Sequence, residues 1–499
     1  MIEPRWPQRH VRLEPSRHRP AGGGVLLRQR HRWHPNARSL RSIGFDFLEG
    51  QCSGPIVSSH SYTHNDWGSR ATAEKEDGGT WHYGYNSRQE VTSAVKKDAA
   101  DIALPGRSTE YAYDEIGNRL SHQERLLDGT WAATSYQTNS LNQYETITHP
   151  NPFTRLIEGA AHGDSNVEID LLTATGETSL TVTAAGLATS PAQAFAAEAA
   201  LNVSSGPIYQ RVRVRAARSA SPPNNPPGTA PQNFSTEVEG YLWFPPQTET
   251  LTYDEDGNLT GDARWIYRWN AENRLIEMES TPAAIAAGVP ATKLTFLYDS
   301  QGRRTEKKVF RADPPNSTTW ILQRRTRFLY DDWNMIAEFD EVETPVAGGS
   351  DLAVGGGSDP ASTATTRFYA WGLDLSGTPQ GAGGVGGLLL VQQTSANGDQ
   401  AAITAHLAPS YDGNGNITAY LDIANSQPVD QYEYDAFGRT LGISRNLEFA
   451  GTATTTPPHR FSTKYTDIET GLMEYGYREH DAERGRWISR YFIQEKKGV

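Results

Sequence analysis

Short runs of alternating aromatic and polar residues follow one another along most of the chain. The best-formed runs read aromatic, any residue, aromatic, Asp, two residues, Gly, as in Tyr111 to Gly117. Alternation with a period of two predicts a β-strand with one buried face. The pattern therefore predicts an all-β chain built from consecutive β-hairpins.

The unit repeats along the chain, which points to a repeat architecture. Five copies are well formed: Asp114 to Gly117, Asp254 to Gly257, Asp299 to Gly302, Asp412 to Gly415 and Asp435 to Gly438. Weaker copies have Asn in place of Asp or lack the Gly: Asn65, Asn86, Asn139, Asn270 and Asp331. Where no other segment intervenes, these positions are 16 to 32 residues apart. That spacing fits one hairpin per unit.

Turn chemistry explains the residues of the unit. An Asp at the first position of a type I turn can accept hydrogen bonds from backbone N–H groups two residues on. The Gly at the fourth position is expected to adopt the left-handed conformation that directs the chain into the returning strand. Asn is the next most tolerant residue there, and we expect it at Asn142, Asn273 and Asn334.

Two segments interrupt the repeats. Residues 155 to 245 are predicted to form an inserted small β-sandwich-like domain with three strands and one Ala-rich helix: Val167 to Leu171, Leu180 to Thr183 and Ile208 to Val214, with the helix near Ala192 to Ala200. A Pro-rich loop at Ser221 to Pro231 closes this insert and should be extended or disordered. The second interruption, Val346 to Ala364, is rich in Gly and Ser and is predicted to be a flexible loop.

Residues 1 to 55 follow no pattern, which favours disorder. Ten Arg and two Glu give residues 1 to 41 a charge of about +8, which leaves about −21 on the rest of a chain with net charge −13. We interpret this arm as the product of a shifted reading frame or a misplaced start; a contact with nucleic acid or a membrane surface is the alternative.

Composition excludes several classes. The net charge of −13 disfavours a general nucleic-acid binder, and a single cysteine, Cys52, excludes an internal disulfide framework. No apolar run has the length of a membrane helix, and no secretory signal is recognisable. We therefore predict no nucleic-acid partner, no membrane span, and export by a route that the sequence does not show.

The C-terminal stretch carries a more specific signal. His459 to Leu472, Tyr475 to Arg478, Asp481 and Gly485 to Arg490 resemble the signature of the RHS repeat-associated core, and Trp371 to Gly377 is similar to a segment of bacterial members. Together with the repeats, this identifies the chain as similar to the RHS/YD-repeat family from about residue 60 to residue 490, apart from the insert.

The resemblance implies hairpins wound into a spiral, shell-like (cocoon) sheet. In polymorphic toxins and insecticidal complexes such shells enclose a C-terminal toxin, which a protease-like region downstream of the signature releases. After Arg490 this chain departs from the family pattern with Tyr491-Phe492-Ile493. The resemblance therefore predicts a truncated member without that self-cleaving apparatus.

These signals divide the chain into seven predicted segments: 1–55, Arg-rich arm; 56–154, YD repeats; 155–245, inserted β domain; 246–345, YD repeats; 346–366, Gly/Ser-rich loop; 367–490, truncated RHS core; 491–499, divergent tail.

Several segments resemble known ligand-binding motifs, but a loop or a hairpin turn explains each of them. Gly381 to Gly386 fits a dinucleotide fingerprint but precedes a strand-like run, so we interpret it as a loop. Asp412 to Asn416 and Asp254 to Asn258 resemble the start of a calcium loop but lack its glycine and terminal glutamate, so we interpret them as hairpin turns. His31 and His34 are expected to be solvated, Cys52 is a poor nucleophile candidate, and Glu338 and Asp340 are typical of an acidic surface. We predict no catalytic, cofactor-binding or metal-ligating residue and no cofactor.

The leading hypothesis is a non-enzymatic scaffold: an RHS-type β-shell fragment of a bacterial polymorphic toxin or secreted surface protein. Its expected partners are a C-terminal effector encoded downstream and the effector's immunity protein, and its expected location is secreted or at the cell surface. The alternative is a carbohydrate-binding adhesion protein, in which the repeat aromatics stack on glycans instead of packing between hairpins. An enzyme within the insert is disfavoured, because that segment lacks clustered His, Cys or Ser.

Overall fold

The structure is a computed structural model of the chain. It describes residues 31–34, 37–42, 58–75, 78–173, 176–184, 192–220, 232–314, 317–342, 364–397, 400–424, 427–445 and 457–490. Antiparallel strands dominate these residues, and consecutive strands pair with each other through most of the chain. This confirms the predicted all-β fold class.

The first large sheet has nine strands, of which eight are consecutive in sequence. A separate hairpin precedes it, formed by β1 (His31–His34) and β2 (Ala37–Ser42). The consecutive strands are β3 (His60–His64), β4 (Arg70–Lys75), β5 (Thr80–Tyr85), β6 (Val91–Lys97), β7 (Ala103–Tyr113), β8 (Arg119–Arg125), β9 (Trp131–Thr138) and β10 (Tyr144–Thr148).

The insert follows β10 and forms two smaller sheets, ordered β11-β15-β14 and β13-β12-β16-β17. Its strands are β11 (Phe153–His162), β12 (Asn166–Thr173), β13 (Gly176–Ser179), β14 (Thr183–Ala184), β15 (Ala192–Leu201), β16 (Ile208–Ala220) and β17 (Gln232–Phe244). One apolar cluster joins both sheets through Phe153, Ile169, Val212 and Phe244. The insert is thus sandwich-like, as predicted.

After the insert, consecutive strands pair with each other again. β18 (Thr248–Thr250) pairs with β10 and completes the first sheet, and β19 begins the second large sheet of fourteen consecutive strands. These strands are β19 (Thr252–Tyr253), β20 (Leu259–Gly261), β21 (Trp265–Trp269), β22 (Leu275–Ser280), β23 (Thr292–Tyr298), β24 (Arg304–Ala312), β25 (Trp320–Asp331), β26 (Asn334–Val342), β27 (Ala364–Trp371), β28 (Leu388–Asn397), β29 (Gln400–Tyr411), β30 (Ile417–Asp422), β31 (Gln427–Tyr434) and β32 (Thr440–Arg445). A short helix, α1 (Pro282–Ala286), links β22 to β23.

Residues 457 to 490 form the last unit. After a single 3-10 turn at Phe461–Thr463, they make a small four-stranded sheet of β33 (Tyr465–Thr466), β34 (Met473–Glu474), β35 (Glu479–Asp481) and β36 (Arg486–Trp487). Leu472 and Ile488 enter the main core cluster, where they join Tyr136, Tyr144 and Trp265. The C-terminal unit therefore packs into the core that the two large sheets share.

The predicted turn chemistry is confirmed at the well-formed units. At the first of them, Asp114 Oδ1 accepts from the N–H groups of Ile116 (3.0 Å) and Asn118 (2.8 Å). Gly117 has a φ of +92° and donates its N–H to the Asp114 carbonyl. Asn139 repeats this arrangement with Leu141 and Gln143, because a side-chain amide oxygen accepts the same two bonds.

One turn differs from the prediction. Asn142 and Asn273 have the expected positive φ (+62° and +57°), but Asn334 does not; Asp332 has a φ of +51° instead. Asp331 pairs directly with Asn334, so only two residues connect β25 and β26. The shorter loop moves the left-handed residue two positions towards the N-terminus.

The Ala-rich stretch from Ala192 to Ala200 is a strand, so the helix prediction was wrong. β15 pairs with β11 over ten residues, including Gly159 opposite Phe195. Ala196, Ala197 and Ala199 are fully buried between sheets. The helix preference of Ala is worth less than about 1 kcal/mol per residue, so pairing on both sides of β15 and burial outweigh it.

Other predicted boundaries shift. Leu180 to Val182 connect β13 and β14 and are not a strand, and β27 begins at Ala364, inside the predicted Gly/Ser-rich loop. Several predictions lie outside the described residues: the Pro-rich loop at 221–231, most of the 346–366 loop, Cys52, the 491–499 tail and, apart from β1 and β2, most of the 1–55 arm.

Candidate functional site

Residues 457 to 490, here called the C-terminal closure, run across the row of hairpin turns. Thr463 Oγ1 donates to the Gly415 carbonyl (2.7 Å) in one turn. Arg274, at the end of another, donates to the Gly476 carbonyl of the closure (3.3 Å). Arg486 reaches a third and fourth through Asn118 and the Asn142 carbonyl. One segment thus ties together turns that are hundreds of residues apart in sequence.

The turn glycines give the closure room to approach. A Cβ added at Gly438 would lie 2.6 Å from the Phe461 ring, and one at Gly257 would lie 2.5 Å from Arg490. Both positions also have positive φ. The glycine of the unit therefore serves two purposes, since it permits the left-handed turn and leaves space for the closure.

A buried charged network, here called the Arg304 network, anchors the closure to β24. Arg304 lies 3.2 Å from a Glu474 oxygen, 3.4 Å from Glu479 and 3.8 Å from Asp467. The neighbouring Lys307 is bonded to Asp467 and Glu469. Both cations come from one strand of the second sheet, and all four carboxylates come from the closure.

Burial shifts the pKa values of several groups in this network. Burial raises the pKa of Glu479 to about 7; Arg304 opposes the rise and Glu474 adds to it. Burial also raises the pKa of Glu474, against the attraction of Arg304. Burial lowers the pKa of Lys307 to about 8, although Asp467 opposes the shift. Glu479 therefore keeps its proton to a higher pH than an ordinary glutamate does.

A second buried cluster joins the two ends of the strand series. The Glu433 carboxylate of β31 forms ion pairs with three cations of the first sheet. Its oxygens lie 2.8 Å from Lys96, 3.5 Å from Lys75 and 3.3 Å from Arg107. Burial alone would raise the Glu433 pKa, but these three cations hold it well below its usual value. The Tyr62 hydroxyl also accepts from the Gly413 N–H at 2.6 Å. The first strands are thus packed against the last ones.

A third cluster fixes the closure to the first sheet. Arg484 lies 2.8 Å from Glu249 and 3.1 Å from Asp262. Burial would raise the Glu249 pKa, but Arg484 and His149 lower it to about 2. These contacts hold the closure on both large sheets.

The motifs considered from sequence have structural roles. Asp412 and Asp254 accept backbone N–H bonds within their turns, so both are hairpin turns, as interpreted. The Gly381 to Gly386 run is a loop, in which the Asp374 carboxylate accepts from the N–H groups of Ala382 (2.6 Å) and Gly384 (3.1 Å).

Glu338 and Asp340 do not behave as solvent-exposed surface carboxylates, so that interpretation was wrong. Glu338 is 1% exposed and is bonded to Arg367. Asp340 accepts from Thr326 Oγ1 at 2.9 Å. Both belong to cross-strand pairs in the second sheet.

In the described part of the chain, no group of three or more His, Cys, Asp or Glu side chains is arranged to hold a metal ion. No helix among the described residues is long and apolar enough to cross a membrane. A cleft of about 450 Å³ separates the first strands from the end of the second sheet. Tyr62, Tyr83 and Tyr85 line one wall and Asp412 and Glu433 the other.

Sequence reasoning missed the three charged clusters. Arg304, Lys307 and Glu433 lie in strands with ordinary alternation, and nothing local distinguishes them from exposed charges. One signal was present in the closure, where the Tyr465 to Arg478 stretch combines six aromatic or apolar side chains with Asp467, Glu469 and Glu474 in only 14 residues. Such acidic density in an apolar segment favours buried pairing.

No protein-family model matches the chain. It is 23% identical over 243 residues to two curated proteins, the tRNA3(Ser)-specific nuclease WapA of Bacillus spizizenii and the tRNA nuclease WapA of Bacillus subtilis. The match covers 48% of this chain and 8% of each relative. This chain therefore corresponds to a small part of those proteins.

Solved structures also align over most of the chain. The TcdB2-TccC3-Cdc42 crystal structure aligns with a TM-score of 0.34 at 14% identity, covering 90% of this chain and 22% of that one. The Tc holotoxin pore of Photorhabdus luminescens aligns with a TM-score of 0.35 at 14% identity, covering 91% and 19%. We take the sequence similarity to the curated relatives as support for an RHS-like family.

Proposed function

We propose that this chain is a non-enzymatic scaffold of RHS type, built from YD repeats, that holds or presents a C-terminal effector of a bacterial toxin or secreted surface protein. The observation that carries the proposal is the C-terminal closure. Its residues make hydrogen bonds with hairpin turns from Asn118 to Gly415, and its carboxylates bind Arg304 and Lys307 of β24. A downstream effector would begin where the closure ends.

The domain division follows from the same proposal. The repeats on either side of the insert act as one unit, because β18 pairs with β10 across it. The insert at 155–245 is an accessory domain, and residues 367–490 combine the last repeats with the closure. A downstream effector, its immunity protein and a secreted or surface location belong to this proposal.

Limited proteolysis of the full chain tests the scaffold role. If the closure holds the repeat strands together, residues 457 to 490 should remain bound to the repeats at protease concentrations that already cut the chain at the ends of the insert. The proposal fails if the closure is released first while the repeats remain folded.

A nuclease assay tests the non-enzymatic part, since the curated relatives are named as tRNA nucleases. The purified chain should leave tRNA intact with divalent metal present. Cleavage that co-purifies with the chain and disappears on replacing one acidic residue would overturn it.

Carbohydrate binding remains the second candidate, and one observation favours it: the cleft with the tyrosine wall. Against it, several repeat aromatics are buried, among them Tyr111, Tyr136 and Tyr411, and the Tyr136 ring packs against Tyr144 at 4.8 Å. Sugar binding on a glycan array that Tyr83→Ala and Tyr85→Ala remove would support this candidate. The matched control is Trp67→Ala, at a ring 81% exposed on a hairpin turn outside the cleft. Binding that is unchanged by the cleft substitutions would reject it.

A further inference from the structure

Among the described residues, the last strand of the insert has one edge without a paired strand. β17 pairs with β16 over its full thirteen residues, and no described strand pairs with its other side. Residues 233 to 241 are all exposed, including Phe234 (42%) and Val238 (48%). The opposite edge of the same sheet is β13, with only four residues. One edge is therefore short, and the other is long and open.

Proteins usually protect long edges with Pro, Lys or a covering element. β17 contains neither Pro nor Lys. An unprotected strand of this length offers a row of backbone N–H and C=O groups to another extended segment. Its only charged residues are Glu237 and Glu239, so an acidic face is its only charge-based protection against pairing.

Charge on the outer face indicates which segment fits. Arginines of β16 form a column with glutamates on both sides: Glu237 and Glu239 of β17 on one side, and Glu168 of β12 and Glu177 of β13 on the other. Arg215 contacts Glu168 at 3.1 Å on one side and Glu237 at 3.2 Å on the other, and Arg213 contacts Glu177 at 2.7 Å and Glu239 at 3.1 Å. Glu237 and Glu239 therefore form the outermost column of charged side chains on this face. A strand added beside β17 would continue the alternation of acidic and basic columns if its own side chains there were basic.

The other face of β17 is apolar. Phe234, Val238 and Leu242 lie on the same face as Phe244, because side chains of one face are two residues apart. Phe244 and Leu242 belong to the insert core, whereas Phe234 and Val238 extend beyond it into solvent. An added strand would cover these two side chains with its own apolar residues.

A second copy of the chain fits poorly. Antiparallel pairing of two β17 strands about Val238 would bring the apolar residues together, but it would place Glu237 of one copy opposite Glu239 of the other. Like charges directly opposite each other destabilise a sheet. The edge favours a heterologous basic partner.

We propose that the β17 edge, residues 233 to 241, is a docking site for an extended polypeptide segment in which basic residues alternate with apolar ones. The segment adds a strand to the insert, with its Arg or Lys side chains on Glu237 and Glu239 and its apolar side chains over Phe234 and Val238. This site is separate from the closure and from the role proposed for it.

Peptide binding to the full chain tests the site. The probe is a peptide in which Arg and Val alternate; its isomer with all Arg first has the same charge, and a third peptide alternates Glu and Val. The alternating Arg peptide should bind roughly tenfold or more tightly than its isomer, and it should slow hydrogen exchange in residues 233 to 241.

Three variants locate the binding. Glu237→Gln with Glu239→Gln should weaken binding roughly tenfold, whereas Glu168→Gln with Glu177→Gln, on the other side of the arginine column, should leave it unchanged. Val238→Lys keeps the existing ion pairs and should abolish binding by placing a Lys on the edge. Equal binding of the two Arg isomers, or loss of binding in the control variant alone, would overturn the site. Concentration-dependent dimerisation that protects residues 233 to 241 would show that a second copy is the occupant and would also overturn it.

Discussion

The chain uses the same carboxylate group in two different ways in two regions. In the hairpin turns, Asp114 accepts two N–H bonds from residues two and four positions on, and the arrangement is complete within five residues. In the C-terminal closure, Glu479 is buried and depends on Arg304, 175 residues away in sequence. The turn carboxylate finds its partners within its own hairpin and can be replaced by another acceptor. The buried carboxylate finds its partner only once distant parts of the chain have folded together.

The sharpest test of this contrast is removal of the central cation. Arg304→Met leaves Asp467, Glu474 and Glu479 buried without their shared partner, and breaking a buried pair in this way costs about 3–5 kcal/mol. We expect the free energy of unfolding, measured by denaturant titration, to fall by that amount.

The control for Arg304 is Arg268→Met, which removes an exposed pair with Glu277 and should cost less than about 1 kcal/mol. Equal losses in both variants would mean that the Arg304 network is no more important than a surface ion pair.

The pH dependence is the next largest effect. The pKa of Glu479 is about 7 in the folded protein and 4.5 in the unfolded reference. The folded state therefore holds an extra proton between these values, and the free energy of unfolding decreases as pH rises through 7. At about 1.4 kcal/mol per pKa unit, the decrease is at most about 3–4 kcal/mol.

Glu479→Gln removes this titration, so the variant should lose less stability than the parent between pH 5 and 8 in the same denaturant titrations. Acidic pH acts in the opposite sense through Glu249, whose pKa is lowered to about 2, because protonation then breaks its pair with Arg484. A parent chain with stability independent of pH from 5 to 8 would contradict the assignment to Glu479.

A turn glycine should have an intermediate effect. Gly117 has a φ of +92°, and an added Cβ would lie 2.8 Å from Glu90 Oε1. Gly117→Ala should cost about 1–2 kcal/mol, since L-residues are strained in this conformation.

The matched control, Gly240→Ala, lies in a strand with open space around it and should be neutral or slightly stabilising. The melting temperatures of the two variants therefore separate turn strain from a general effect of replacing glycine. A loss at Gly240 as large as that at Gly117 would count against the strain argument.

The smallest effect is expected at the turn carboxylate itself. Asp114→Asn should change stability by less than about 0.5 kcal/mol, because Asn139 and Asn270 already accept the same two N–H bonds in their turns. Asp114→Ala removes the acceptor and should cost about 1 kcal/mol. Thermal melts of both variants would show whether charge matters here; a larger loss for Asn than for Ala would refute the hydrogen-bond account.

Local turn rules predicted most of the fold. The Asp and Gly positions of the repeat marked where strands end, and the structure places hairpin turns at the five well-formed units. They failed at Asn334, where a two-residue loop changed which residue is left-handed, and at Ala192 to Ala200, where sheet pairing outweighed helix preference. The charged clusters of the candidate site were not predictable, because each joins residues from distant hairpins.

The sequence by itself determined the all-β class and the conformation of most hairpin turns, because these depend on side chains within a few residues of each other. Only the tertiary structure decided which hairpins meet. It placed Lys75, Lys96 and Arg107 on Glu433, and Arg304 among the carboxylates of the closure. The physical reason is that the energy of a buried charge depends on its partners and on the loss of water, and neither is encoded in its immediate neighbours along the chain.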